Sequence, residues 1–220
     1  MRKLTLTLAA AGIAALTIGT LQAQQSGPPQ LPGAMDVSRA QAGTYALDPN
    51  HTLVGWRVNH FGFNDYFGIF GGATGTLTID PANPSAAKVD VTIPVATVTT
   101  ANAGLTAHLT KPAGENGKAD FFGANAAPAH FVSTSVTVDG TKAQIAGDLT
   151  LNGITKPVTI DAEFTGAGNA MMPPNKLTLG FEGTTTIKRS DFGISYGIMN
   201  GVALVSDEVE LDITAAFEKQ

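Results

Sequence analysis

The 220-residue chain contains no cysteine. That excludes a disulfide framework, a thiolate metal site and a cysteine nucleophile. Charge is scarce as well, at 14% of residues against about 25% in an ordinary globular chain. Basic residues are outnumbered 13 to 18, for a formal net charge of −5, and they form no run. Such a chain has neither the phosphate-neutralising patch that nucleic acid requires nor the basic patch that an anionic membrane attracts. Beyond Leu21 no apolar run is long enough to span a bilayer, so stable insertion of the processed chain is not expected. There is no P-loop and no G-x-G-x-x-G after a strand. What is present is 43% hydrophobic residues, 25 glycines and abundant threonine, the composition of a β-protein with much apolar surface to place.

The first segment reads as an address. Met1-Arg2-Lys3 is a short basic start, Leu4 to Leu21 is apolar and uncharged, and Leu21-Gln22-Ala23 ends in a small residue suited to cleavage before Gln24. This is the pattern of a secretory signal peptide over residues 1–23, which predicts an exported, periplasmic protein. Without a cysteine at the cleavage point a lipoprotein anchor is excluded. Loss of Arg2 and Lys3 with that segment moves the net charge to −7. Residues 24–42, rich in Gln, Pro, Gly and Ala, read as a flexible lead-in, and residues 43–220 as the folded domain.

That domain alternates with period two. Val209, Leu211, Ile213, Ala215 and Phe217 share one face, and Glu208, Glu210, Asp212 and Thr214 the other. The same alternation runs through Val158–Phe164, Ile145–Leu151, Val89–Val95 and Leu177–Phe181, and places Val54, Trp56, Val58 and His60 on one face. Turn chemistry separates the runs at Asp48-Pro49-Asn50, Asp80-Pro81, Asp139-Gly140, Asn152-Gly153 and Gly166-Ala167-Gly168. Ala101 to Leu109 is a candidate short helix. Eight or nine strands follow, which fit a closed barrel or a two-layer sandwich; periodicity does not separate the two.

Chemistry-bearing residues are few. His51, His60, His108 and His130 show no metal-pair spacing, and each reads first as satisfying a local hydrogen bond. His60 ends an apolar stripe and is expected to point inward near a barrel mouth. Asp65, Asp120 and Asp191 lie in loops beside aromatics, but spacing singles out no pair for acid–base work. Phe61, Phe63, Tyr66, Phe67 and Phe70 cluster with glycines between them, and Phe121, Phe122 and Phe131 form a second group. These suit either an ordinary core or the lining of an apolar cavity.

Several segments together resemble the YceI-like family of exported polyisoprenoid-binding proteins. They are Tyr45-x-x-Asp48-x-x-His51-Thr52, Val58-x-His60-x-Gly62, Gly68-x-Phe70, the Val98 to Thr100 turn, His108-Leu109, Phe121-Phe122 and Pro128-x-His130-Phe131. The most specific is Gly147-Asp148-Leu149-Thr150-Leu151-Asn152-Gly153-Ile154-Thr155-Lys156-Pro157-Val158, followed by Arg189 to Ile194 and the strand Val209 to Phe217. The chain departs from the family pattern in the aromatic and glycine-rich Phe63–Gly75 segment, in the long polar loop Lys111–Lys118, and at Ala107, where an acidic residue is usual.

The resemblance implies a lipocalin-like closed antiparallel β-barrel of about eight strands with one or two short helices. It implies a bound isoprenoid lipid, a polyprenyl phosphate or a quinone tail, with no catalytic residue, cofactor or metal. The lining is then expected from Val54, Trp56, Val58, His60, Phe63, Phe67, Phe70, Phe131, Leu149, Leu151 and Phe181, and the head-group contacts from His60, Asn59 and Arg189. For Arg189 the ordinary alternative is a surface ion pair with Asp191 or a neighbouring carboxylate. Some fifteen buried chain carbons contribute roughly 12 kcal/mol gross, so affinity needs no conspicuous polar site. Two other readings stay open: an enzyme pairing His60 with a carboxylate, and an exported β-sandwich interaction module. A homodimer is the one assembly left open.

Overall fold

Fourteen principal elements carry the chain. They are β1 (Gly43–Leu47), β2 (Leu53–His60), β3 (Asn64–Phe70), β4 (Thr74–Ile79), β5 (Lys88–Ile93), β6 (Thr99–Thr100), α1 (Ala103–Leu109), β7 (Ala129–Asp139), β8 (Lys142–Leu151), β9 (Ile154–Asn169), β10 (Leu177–Lys188), β11 (Ile198–Met199), β12 (Val202–Ala203) and β13 (Glu208–Lys219). This computed structural model describes residues 30–115 and 117–220. The expected signal peptide and residues 24–29 of the lead-in lie outside the described residues.

Hydrogen bonding runs in the order β1-β4-β5-β7-β8-β9-β10-β13, and β13 pairs back to β1, closing an antiparallel barrel of eight strands. The sandwich alternative is thereby excluded. The first strand is two segments laid end to end. β13 gives its Phe217–Lys219 stretch to β1 and its Glu210–Thr214 stretch to β2. Between them the chain turns a corner at Asp48, whose carboxylate accepts from the Asn50 N–H (2.9 Å) and contacts His51 Nδ1 (2.5 Å). β3 and β6 extend the sheet beside β2, and α1 lies at that end.

Alternation sends one face of every strand inward. Tyr45, Leu47, Leu77, Phe164, Leu179 and Phe217 pack one end of the interior. Val95, Phe131, Leu149, Ile187 and Phe192 pack the middle, and Trp56, Val98 and Leu109 the other end. The Asn152-Gly153 hairpin forms as expected, with both residues at positive φ (52° and 75°).

The expected turn at Gly166-Ala167-Gly168 is instead the interior of β9. The glycines serve a close approach there rather than a reversal. Ala34 pairs with Ala167 through two backbone bonds (3.1 and 2.9 Å), and a Cβ on Gly168 would lie 2.3 Å from the Pro32 carbonyl oxygen. Part of the expected flexible lead-in therefore has structure: it lies along β9, turns through Val37–Arg39 and packs Ala40 on the core.

Candidate functional site

The barrel is hollow. Three apolar cavities follow one another along its length, of about 450, 160 and 210 Å³. The first two share Val54, Ile93, Leu149 and Leu211 as walls, and the second and third share Leu77, Val89, Ile145, Ala162 and Phe181. Ligand pockets fall in the range of about 300–1,000 Å³, and the largest of the three is within it alone.

Strand parity decides which expected residues reach the space. Val54, Trp56, Val58, His60 and Phe70 line the largest cavity, as do Leu149 and Leu151. Phe131 lines the middle one, and Phe181 the middle and the far one. Trp56 can lie flat there because its cross-strand partner is Gly68; a Cβ on Gly68 would sit 2.2 Å from the indole.

Phe63 and Phe67 do not line it. On β3 the inward positions are Tyr66, Gly68 and Phe70, so Phe67 faces out at 59% exposure, and Phe63 projects from the preceding turn at 87%. Asn59 is likewise out of phase with Trp56, Val58 and His60. Its side chain accepts from the Gly62 N–H (2.7 Å) and donates to Asp65 (3.2 Å), bracing the turn.

Arg189 is neither a free phosphate fork nor a surface ion-pair partner. It is 5% exposed and lines the largest cavity, and four of the five N–H donors of its guanidinium are given to backbone carbonyls. Nε donates to Ser206 (2.8 Å), Nη1 to Ile194 (3.1 Å) and Tyr196 (2.8 Å), and Nη2 to Val205 (2.7 Å). Burial pushes its pKa down from the ordinary guanidinium value, and Asp207 nearby pushes it back up. Its charge stays, so the cavity wall carries a fixed positive centre.

The mouth of the largest cavity is built from pieces without periodicity. Asn102 caps α1 by accepting from the Leu105 N–H (3.0 Å), which turns Leu105, His108 and Leu109 toward the space. His108 Nε2 lies 2.8 Å from Asp120, and its ring meets Phe121 and Tyr196 edge-on at 5.3 and 5.1 Å. Sequence reasoning missed His108, Tyr66, Tyr196, Leu204 and Val205 as lining. The available signals were the His108-Leu109 pair and the Phe121-Phe122 group, both noted without a place.

Of the other histidines, His51 and His130 pair with Asp48 and Asp90 on exposed faces. Among the described residues His60 has no carboxylate at ion-pair distance; its ring packs edge-on against Phe61 (4.4 Å). The His60–carboxylate pair that an enzyme reading needs is not assembled. No group of three or more metal-ligating side chains converges among the described residues. Nor is any helix among them long and apolar enough to cross a membrane.

The sequence profile of the YceI-like domain matches residues 45–217. The chain belongs to the YceI-like family. A UPF0312 protein of Pseudomonas paraeruginosa is 41% identical over 176 residues, which cover 79% of this chain and 85% of that protein. Two solved structures share the fold. Burkholderia cenocepacia BcnA superposes with a TM-score of 0.64 at 24% identity, covering 77% of this chain and 98% of its own. A polyisoprenoid-binding domain from Saccharophagus degradans does so at 0.54 and 15% identity, covering 80% and 98%. In this YceI-like chain the barrel carries cavities lined almost throughout by aliphatic and aromatic side chains, with polar groups gathered at one mouth.

Proposed function

We propose that the protein is a non-catalytic, exported carrier that holds a long-chain isoprenoid lipid in the barrel. The observation that carries this reading is the row of three apolar cavities with shared walls, which suits one long flexible chain better than a compact ligand. The ligand's tail occupies the space between Val54, Phe131, Leu149 and Phe181. Its polar end stays at the mouth, where His60, His108, Tyr196 and the remaining N–H of Arg189 are gathered. Those groups favour a head bearing oxygen acceptors, a property that a phosphate and a quinone share. Family membership and the fold shared with a polyisoprenoid-binding domain support the same reading. The N-terminal signal pattern supports a periplasmic location.

Organic extraction of the purified protein followed by mass spectrometry tests this. An isoprenoid lipid in near-equal amount to protein is expected. A protein that retains none, and takes up none when polyprenyl phosphate or a quinone is added, ends the proposal.

A further inference from the structure

Two hairpin tips rim the mouth of the largest cavity. The β2–β3 turn closes by the Phe63 N–H donating to the His60 carbonyl (3.0 Å), with Phe61 and Gly62 at φ 55° and 74°. The β11–β12 turn has Asn200 and Gly201 at 50° and 80°, between paired Met199 and Val202. The tips are tied together, since the Phe61 N–H donates to Leu204 (2.8 Å) and His60 bridges to Val205. Asn-Gly is the favoured pair for a turn of this geometry. The first tip instead places a phenylalanine in the left-handed region, at a cost of roughly 1 kcal/mol.

These tips hold their apolar side chains in water. Phe61 is 47% exposed, Phe63 87%, Tyr196 45%, Met199 64% and Val202 61%. Phe61 and Phe63 stack on one another at 6.5 Å. From Tyr196 to Val205 there is no charged residue, and none from Phe61 to Asn64. Charges stand behind the tips: Arg57 pairs with Asp65 and Glu210, and the buried Arg189 donates to the Tyr196 and Val205 carbonyls.

We propose that this rim is a membrane-docking surface. Phe61, Phe63, Met199 and Val202 seat in the boundary between head groups and acyl chains of a bilayer, bringing the cavity mouth against its lipid. The inference rests on the lipid-carrier reading. Three features select a bilayer as the occupant. The patch is continuous with an apolar cavity, because Phe61 and Tyr196 belong to both. It is uncharged, which suits insertion into a neutral interface and agrees with an acidic chain that no anionic surface attracts. It is also small. Its five side chains offer roughly 500 Å² of apolar area, short of the ~800 Å² per partner that a stable dimer buries. The charges on Arg57, Asp65 and Glu210 halt insertion behind the tips, so docking is shallow and reversible.

Flotation of the protein without residues 1–23, as the exported chain is expected to be, with neutral phosphatidylcholine vesicles tests the rim. The protein should float with the vesicles and stay bound as salt is raised, since no charge attraction is being screened. Phe63→Ser with Met199→Ser should lower the bound fraction about tenfold or more. Neither residue lines a cavity, so organic extracts of that variant should hold the same lipid as the parent. Met171 and Met172, each 78% exposed on the β9–β10 loop at the other end and lining no cavity described above, supply the control. Changing both to Ser should leave flotation intact. In a Phe63→Trp variant, tryptophan emission should shift to the blue on adding vesicles, whatever the fate of the serine pair, because the native Trp56 is already buried.

A parent protein that does not float overturns the proposal. So does loss of flotation in the methionine control alone, or a solution dimer that the Phe63/Met199 change disperses. Vesicle binding through Phe63 by a protein holding no lipid would leave the rim standing and remove the carrier reading. Retained lipid without vesicle binding would do the reverse.

Discussion

Arg189 is the clearest case of a residue whose chemistry depends on its neighbours. A guanidinium at a cavity wall suggests an anion site, but here nearly all its donors are taken by the carbonyls of Ile194, Tyr196, Val205 and Ser206. Its first duty is to pin the uncharged 194–206 loop to the barrel, which leaves one N–H of the five to face the cavity. Arg189→Met keeps the bulk and strands those carbonyls. We expect it to lower stability by at least about 2 kcal/mol in urea unfolding, with faster amide exchange across residues 194–206. His51 lies at the other extreme, fully exposed. The hydrogen bond and charge of Asp48 raise its pKa above the ordinary value. For Asp48, burial raises the pKa, but bonds from His51 and Asn50 outweigh it and the net shift is downward. The histidine's contribution is complete below about pH 6.5 and is lost as pH rises through its elevated pKa. The aspartate's contribution is complete above about pH 3.9 and is lost as pH falls through its depressed pKa. The β1–β2 corner is therefore tightest between the two. An NMR titration should find His51 titrating above its ordinary value, and Asp48→Asn should bring it back; an unchanged midpoint in that variant would contradict the pairing.

Among elements, legibility followed periodicity. β2, β8, β9, β10 and β13 were readable because alternation is imposed by the pleat itself, and the inward face of each is the face that lines the cavities. The same rule assigns Phe67 outward, since it is out of phase with Tyr66 and Phe70; grouping the aromatics by nearness in sequence hid that phase. The pieces that build the mouth have no period to read. α1 is two turns long, and its inward residues follow from the Asn102 cap and from packing on the barrel. Asn102→Ala should cost about 1 kcal/mol, with amide exchange speeding in α1 before the sheet. The Gly166-Ala167-Gly168 run shows a different ambiguity. Glycine marks either a reversal of the chain or a neighbour too close for a Cβ, and only the presence of Pro32 and Ala34 decides which.

The whole molecule behaves as a container whose size is set by what its strands leave unfilled. Ala162 stands between the middle and far cavities. Ala162→Phe places a ring in that passage, with less strain than in a solid core because the space is empty. On the proposed lipid-carrier function, the variant is expected to bind at the mouth but hold shorter chains, seen as a shift in the mass distribution of extracted lipid. An unchanged distribution would mean that the chain does not pass Ala162.

One strand decides when this container exists. β13 holds β10 along one edge and both β2 and β1 along the other. Until it arrives, the sheet is an open ribbon whose two lateral edges are unpaired and whose cavity-lining residues meet water. The closing contacts join Tyr45, Ala46 and Leu47 to Phe217, Glu218 and Lys219, so almost the whole domain must be delivered before the ring can shut. Closure of this kind is slow to reach and favours all-or-none assembly. The enclosed cavities exist only in the finished molecule. A chain cut short before Val209 lacks the closing strand and leaves the β1 and β10 edges open to pairing with other chains.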